Sequence, residues 1–351
     1  MTFIPKPKLH HPDLQKNALG LTRRDYEGPV STLCAGCGHD SISAAIVKAC
    51  FELDIEPHRV AKMSGIGCSS KTPTYFLGAS HGFNSVHGRM PSVATGANLA
   101  NKDLIYLGVS GDGDSASIGI GQFAHAMRRG VNMLYIVENN GVYGLTKGQF
   151  SATSDKGAKS KRGVVNSDEA IDLVGMALQL GATFVARSFS GDKGQLVPLI
   201  EAALQHKGIA FIDCLSPCVA FNNHEGSTKS FDYVREHNEA LNVLDVITGR
   251  PEITVDYAPG TLEMVTQHDG SVLQLRKLHQ SYDVHDRVAA LTYMQERAAA
   301  GEIVTGLLYV DPNPRDLHAH LKTVDTPLNE LDEMALVPGA RALDRINAGL
   351  R

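Results

Sequence analysis

Asp112 and Asn140, 28 positions apart, are by type and spacing the residues of this chain best suited to hold a divalent cation. One carboxylate, one amide oxygen and the backbone carbonyl of Val142 form a hard-oxygen donor set suited to Mg2+, which keeps its other positions for water and phosphate oxygens. Gly111, Gly113, Ser115 and Ala116 around the aspartate are small. Their backbone N–H groups could therefore approach a diphosphate at a helix start, where the dipole favours negative charge. Together these residues read as a site for Mg2+ and a diphosphate.

The elements that must position them are legible on either side. An apolar run at 104–109 leads into the turn Gly111-Asp112-Gly113-Asp114, an amphipathic segment follows, and a second apolar run at 133–137 ends in Asn139, Asn140 and Gly141. That is a strand, helix and strand, with both ligands at the carboxyl edge of a parallel sheet, where open α/β folds bind ligands. A dinucleotide site competes, because Gly111-Asp112-Gly113 is a G-x-G after a strand. Its third glycine would fall at Ala116, and Asp112 and Asp114 would face a pyrophosphate with no metal to offset them.

Cysteine supplies a second kind of chemistry. Cys34 and Cys37 form a C-x-x-C, open by itself to zinc, a redox dithiol or an iron-sulfur cluster. Cys68 lies between glycines and serines just past a strand expected at 58–63, and Cys218 lies past a strand expected at 209–215. Cys50 falls on the apolar face of a helix expected to be capped by Asp40, and Cys214 lies inside an apolar strand, so both read as core thiols.

Further helices are expected at 169–180 and 193–206 and a further strand at 183–188, making the core a doubly wound, mostly parallel α/β sheet. Residues 1–28 read as an extended arm, 29–230 as the ligand-binding α/β domain, and 231–351 as a smaller C-terminal extension packing on the core or on a partner. The stretch 143–163 is rich in Gly, Ser, Thr and Lys, and its run of Lys156, Lys159, Lys161 and Arg162 reads as a solvated surface loop.

The chain has 351 residues, 43% of them apolar and 20% charged, with a net charge of -5. That balance argues against nucleic acid as the main partner. There is no apolar run of the roughly 18 residues that a membrane span needs, and no signal-peptide pattern at the amino terminus, so a cytoplasmic protein is expected.

The motifs CAGCGH, GIGCSS, HGR, GDGD, NNGVYGLTKGQ and SPCVAFN, spread over roughly residues 30–225, together resemble the β subunits of 2-oxoacid:ferredoxin oxidoreductases, most closely the 2-oxoglutarate branch. The resemblance implies thiamine diphosphate and Mg2+ as cofactors, with Asp112, Asn140 and Val142 holding the metal. It implies a [4Fe-4S] cluster held by Cys34, Cys37, Cys68 and Cys218. It further implies that Ile66, Gly67, Cys68 and Ser69 lie against the thiazolium and that His87 contacts the diphosphate. Gly111, Gly113, Asp114 and Tyr143 join the cofactor-binding set. Lys71 and Lys147, with Leu145 and Thr146 beside the latter, are implied to meet the substrate, the ammonium groups pairing with the distal carboxylate of a C5 2-oxoacid. A lysine among the cofactor's phosphates is the competing role.

The implied reaction is oxidative decarboxylation of 2-oxoglutarate to succinyl-CoA and CO2, with electrons leaving singly to ferredoxin. The glutamate that activates the aminopyrimidine would come from an α subunit carrying the pyrimidine-side domain, in an α2β2 assembly. Pyruvate or another 2-oxoacid is the alternative substrate. A self-contained thiamine decarboxylase would need a second α/β domain, and a zinc-stabilised, non-catalytic subunit of the same fold would leave Asp112 and Asn140 without a purpose.

Overall fold

The computed structural model describes residues 11–158, 163–219, 252–267, 272–337 and 339–350. Residues 1–10 of the expected arm, Lys159, Lys161 and Arg162 of the basic run, 220–222 of the SPCVAFN motif and 231–251 of the expected extension lie outside the described residues.

Among the described residues the strands β1 (Val60–Ser64), β2 (His81–Asn84), β3 (Ile105–Gly111) and β4 (Met133–Asn139) are followed by a short hairpin, β5 (Val142–Tyr143) with β6 (Gln149–Phe150). Then come β7 (Phe184–Phe189), β8 (Ile209–Leu215), β9 (Leu262–Thr266), β10 (Val272–Lys277) and β11 (Ile303–Val310). All but the hairpin join one nine-stranded sheet in the order β2-β1-β3-β4-β8-β7-β11-β10-β9. From β2 through β7 every neighbour is parallel, whereas β11 runs antiparallel to β7 and β9 antiparallel to β10. The segment expected as a C-terminal extension thus adds three strands to the edge of the same sheet.

Helices cover both faces. On one side lie α1 (Gly38–Glu52) and α5 (Lys193–Gln205), burying Ile42, Ile46, Leu196 and Ile200. On the other lie α2 (Met90–Ala100), α3 (Ile120–Arg129), α4 (Leu173–Gln179) and α6 (Arg287–Ala299), packed through Met90, Phe123, Val174 and Met294. Strand β4 shows why its sequence reads as a near-continuous apolar run: Met133, Tyr135 and Val137 fill one face while Leu134 and Ile136 fill the other. Phe123, Tyr135 and Phe211 meet edge to face or tilted, with ring centroids 5.1–6.0 Å apart. Each such fully buried ring contributes about 1.5–3 kcal/mol by burial alone.

Most elements fall where the sequence places them, β8 to the residue. Helix α1 does not begin where expected: Cys37 is its N-cap, so Asp40 sits inside the first turn rather than at the cap. The carboxylate still faces the positive end of the helix dipole, which explains why acid and cap are hard to separate in sequence. Helix α4 starts at Leu173, because the Asp172 side chain accepts the Val174 N–H and sets the cap there. Cys50 and Cys214 are fully buried, as core thiols should be.

Candidate functional site

The chain passes from β1 outward to β2 and then returns to place β3 on the other side of β1, so the loops after β1 and β3 leave the sheet edge in opposite directions. A crevice opens at such a reversal, at the carboxyl ends of the strands. The loop after β1 carries Gly65 to Ser69, the loop after β3 carries Asp112 to Asp114, and the loop after β4 carries Asn140 to Val142. Past Asp112 the backbone widens into a π-helical turn, Gly113–Ile118, before α3 begins. Gly141, at φ +72°, turns the chain after Asn140 into the β5–β6 hairpin.

These loops line a cleft that is open to solvent on one side. Its wall includes Ile66, Gly67, Cys68 and Ser69 from the first loop, and His87 from the turn before α2. Gly111, Asp112, Gly113 and Asp114 form the floor, and Asn140, Val142, Tyr143, Leu145 and Thr146 close the side. Fourteen residues singled out in the sequence therefore share one cavity. Lys71 and Lys147 do not line it: Lys71 lies on the 3-10 turn Ser69–Thr74, and Lys147 is exposed at the hairpin end with φ +81°.

The oxygen donors gather at one corner. The Asn140 N–H donates to Asp112 Oδ1 at 3.3 Å, and the Val142 N–H donates to Asn140 Oδ1 at 3.1 Å. Burial pushes the Asp112 carboxyl above its usual range, offset in part by hydrogen bonds from Ser151, Thr153 and the Asn140 N–H. A buried carboxylate beside amide and carbonyl oxygens is the donor chemistry a small divalent cation takes. Gly113 has no room for a side chain, since a Cβ there would lie 2.5 Å from the Tyr143 ring. This pinch brings the floor of the cleft and the hairpin together. The residues present therefore fit a Mg2+ ion and a diphosphate.

Asp114 lines the cleft, yet its carboxylate is committed to the protein. Oδ1 accepts the Gly88 N–H at 2.8 Å and meets His87 Nδ1 at 2.5 Å, and Oδ2 accepts the Ser110 hydroxyl at 2.7 Å. His87 thus lines the cleft with its Nδ1 held by Asp114.

The six cysteines form no disulfides with one another. Burial raises Cys68 to about 11, and the neighbouring Cys218 and Cys34 add to the shift, while Lys71 opposes it. Burial likewise raises Cys37, with Cys218 contributing, and raises Cys34, where Lys71 is again the opposing charge. Cys68 thus lies within electrostatic reach of Cys34 and Cys218, and Cys37 within reach of Cys218. Among the described residues no three of His, Cys, Asp and Glu converge on a position for a single metal ion.

Two cleft residues were missed in the sequence. His39 and Glu138 line the inner end, with His39 Nδ1 3.7 Å from a Glu138 carboxylate oxygen. Glu138 is completely buried, and among the described residues neither carboxylate oxygen has a well-formed hydrogen bond, Thr72 being the weak neighbouring donor. Burial pushes its carboxyl well above the carboxylate range, Thr72 offsetting and Asp40 adding to the shift. The same burial pushes His39 down to about 4. The legible signal was an acid ending an apolar strand, at the parity that faces α1. Ser151 and Thr153, in the same Ser- and Thr-rich stretch as the basic run, were missed as well: their hydroxyls hold Asp112.

The chain is similar to several known proteins. Residues 65–214 match the thiamine pyrophosphate enzyme C-terminal TPP binding domain. A 2-oxoacid:ferredoxin oxidoreductase β subunit from Sulfolobus is 44% identical over 54% of this chain and 63% of its own length. The 2-oxoglutarate oxidoreductase subunit KorB of Mycobacterium tuberculosis is 40% identical over 62% of this chain and 57% of its own. The 2-oxoglutarate synthase subunit KorB of Methanocaldococcus jannaschii is 37% identical over 60% of this chain and 78% of its own. The match thus spans about three-fifths of the first two relatives and more of the third. Among solved structures, a 2-oxoglutarate:ferredoxin oxidoreductase from Magnetococcus marinus, with 2-oxoglutarate, coenzyme A and succinyl-CoA bound, superposes with a TM-score of 0.68 at 29% identity, covering 94% of this chain and all of that one. With its thiamine-binding domain and these relatives, the chain belongs to the family of 2-oxoacid and 2-oxoglutarate:ferredoxin oxidoreductase β subunits.

Proposed function

We propose that the chain is the β subunit of a CoA-dependent 2-oxoglutarate:ferredoxin oxidoreductase, which converts 2-oxoglutarate to succinyl-CoA and CO2 and sends two electrons singly through a [4Fe-4S] cluster to ferredoxin. The observation that carries this reading is the double position of Cys68, which lines the cleft of Asp112 and Asn140 and also lies within electrostatic reach of Cys34 and Cys218. A cluster on those thiolates would stand beside the cofactor, where a one-electron exit is needed. A self-contained decarboxylase has no use for such a set.

Thiamine diphosphate, when bound, supplies the electron sink for decarboxylation. The chain's part is to hold and orient. Asp112, Asn140 and the Val142 carbonyl would hold Mg2+, His87 would meet the diphosphate through the imidazole nitrogen that Asp114 does not use, and Cys34, Cys37, Cys68 and Cys218 would hold the cluster. Leu145 and Thr146 bring the hairpin to the cleft, and Lys147, next in sequence, is the cation we assign with Lys71 to the distal carboxylate of the substrate. That the similar proteins from Mycobacterium tuberculosis, Methanocaldococcus jannaschii and Magnetococcus marinus are 2-oxoglutarate enzymes supports 2-oxoglutarate over pyruvate.

On the same reading an α subunit supplies the pyrimidine-side domain and its glutamate, in an α2β2 assembly, and residues 29–230 carry the site while 231–351 support it. No helix among the described residues is long and apolar enough to cross a membrane. A cytoplasmic location goes with a thiolate cluster and a ferredoxin partner, which belong to a reducing compartment.

The test is iron and acid-labile sulfide on chain co-produced with its α partner without oxygen, together with CoA-dependent ferredoxin reduction by 2-oxoglutarate. About four of each per chain is expected for one [4Fe-4S] cluster. Zinc in their place, or ferredoxin reduction with pyruvate alone, would overturn the reading.

A further inference from the structure

The stretch from Gln149 to Ser154 lies in the Gly-, Ser-, Thr- and Lys-rich segment 143–163, yet Ser151 and Ser154 are buried. The Ser151 hydroxyl donates to Asp112 Oδ2, and the Thr153 hydroxyl donates to the same oxygen at 2.6 Å. Two donors fall on Oδ2, whereas Oδ1 accepts the more distant Asn140 N–H at 3.3 Å. The segment is anchored at three points. Its Ala152 N–H donates to Ser117 Oγ at 3.0 Å in the π-helical turn, and the Ile171 N–H donates to the Ala152 carbonyl at 2.7 Å. The Ser151 N–H reaches the Gly141 carbonyl at 3.3 Å, and the Ser154 hydroxyl donates to that carbonyl too. Gly141 lies between Asn140 and Val142, so one short segment grips both the carboxylate and the turn that carries the other two donors.

We infer that Ser151 and Thr153 are positioning residues for the metal site: they saturate Asp112 Oδ2 and turn Oδ1 toward Asn140 and the cleft, so that the carboxylate binds the cation through one oxygen. The physical reason is rotational. A carboxylate held at one oxygen by two hydroxyl donors loses the free rotation that a metal would otherwise have to arrest, and such outer partners are worth about 10- to 100-fold in metal affinity. Because the segment continues from the hairpin that carries Leu145 and Thr146, it also links the wall of the cleft to the cation corner. Leu145 to Lys147 and Asp112 are therefore mechanically connected through fewer than ten residues of chain.

This inference rests on the Mg2+ and thiamine diphosphate reading, and its test separates the two. Mn2+, a spectroscopically visible stand-in for Mg2+, is titrated by electron paramagnetic resonance into the complex with its α partner, in the presence of thiamine diphosphate. The chains compared are wild type, Ser151→Ala, Thr153→Val and Thr153→Ser. Folding is checked by circular dichroism and thermal midpoint without metal. Mn2+ binding weakened about 10- to 100-fold in Ser151→Ala and Thr153→Val, and restored in Thr153→Ser, is expected. Wild-type affinity in folded Ser151→Ala and Thr153→Val would overturn the inference and leave the cofactor reading standing. Failure of the wild type to bind Mn2+ with thiamine diphosphate would overturn that reading instead.

Discussion

The imidazole Nδ1 of His87 lies 2.5 Å from Asp114 Oδ1, the oxygen that also accepts the Gly88 N–H at 2.8 Å. With Ser110 on its other oxygen and the Ile66 N–H at 3.4 Å, Asp114 ties together the turn before α2, the end of β3 and the loop after β1. Asp114→Ala leaves these donors unpaired in a buried place and is expected to cost about 3–5 kcal/mol, read from urea unfolding midpoints. Asp114→Asn keeps acceptor oxygen and should lose less. Gly65→Ala should disturb the same hub, because its Cβ would fall 1.8 Å from Asp114 Oδ2. An unchanged midpoint in Asp114→Ala would mean that the loops hold one another without it.

Cysteine substitutions should divide by position. Cys34→Ser and Cys218→Ser are expected to lose most of the iron from anaerobically purified complex, since each removes a thiolate from the set around Cys68. Cys50→Ala should keep full iron and lose only about 1–2 kcal/mol, because Cys50 is fully buried in the core beneath α1. Iron lost equally from all three variants would count against the proposed set.

Asp112 is the only carboxylate proposed for the cation. Its replacement by alanine should weaken Mg2+-dependent thiamine diphosphate binding, measured calorimetrically, by more than the ~100-fold that bounds residues which merely orient a ligand. Binding within a few-fold of wild type would move the metal elsewhere.

Lys62 offers a pH dependence outside the site. It is buried in β1, its ammonium donates to the Phe76 and Leu77 carbonyls at 2.6 and 2.9 Å, and burial pushes it down to about 8 from an ordinary 10.5. Between those two pH values the unfolded chain holds a proton at Lys62 that the folded chain has released. Stability contributed by this group therefore rises with pH across the window and is lost as pH falls through about 8. Comparing unfolding free energies of wild type and Lys62→Met from pH 7.5 to about 10.5 should show the wild type gaining on the variant; parallel curves would refute the shift.

Much of the site was legible because its chemistry is written in residue types that have few other uses. Asp112 and Asn140 stand at the ends of two apolar runs, and a βαβ unit can place such ends only on one edge of a sheet. The period and length of the runs also revealed the five strands β1, β3, β4, β7 and β8 and most of the helices, but not the exposed edge strand β2. Glu138 and His39 were not legible, since strand parity alone does not say which helix start an acid will face. Ser151 and Thr153 were not legible for a related reason. Their role depends on a hairpin folding back over the cleft, a contact made across 39 and 41 positions.

By itself the sequence determined the central strands and the helices between them, the thiamine and cysteine motifs, and the family to which they point, because hydrophobic periodicity and short motifs are local properties. The tertiary structure decided what those residues touch. It joined β11 to β7 and so extended the sheet with the late strands, drew Cys68 into both the cofactor cleft and the thiol set, turned Asp114 inward as a hub for three loops, and placed two hydroxyls on one oxygen of Asp112. These outcomes depend on burial and close packing between distant segments, and no local pattern of residues carries that information.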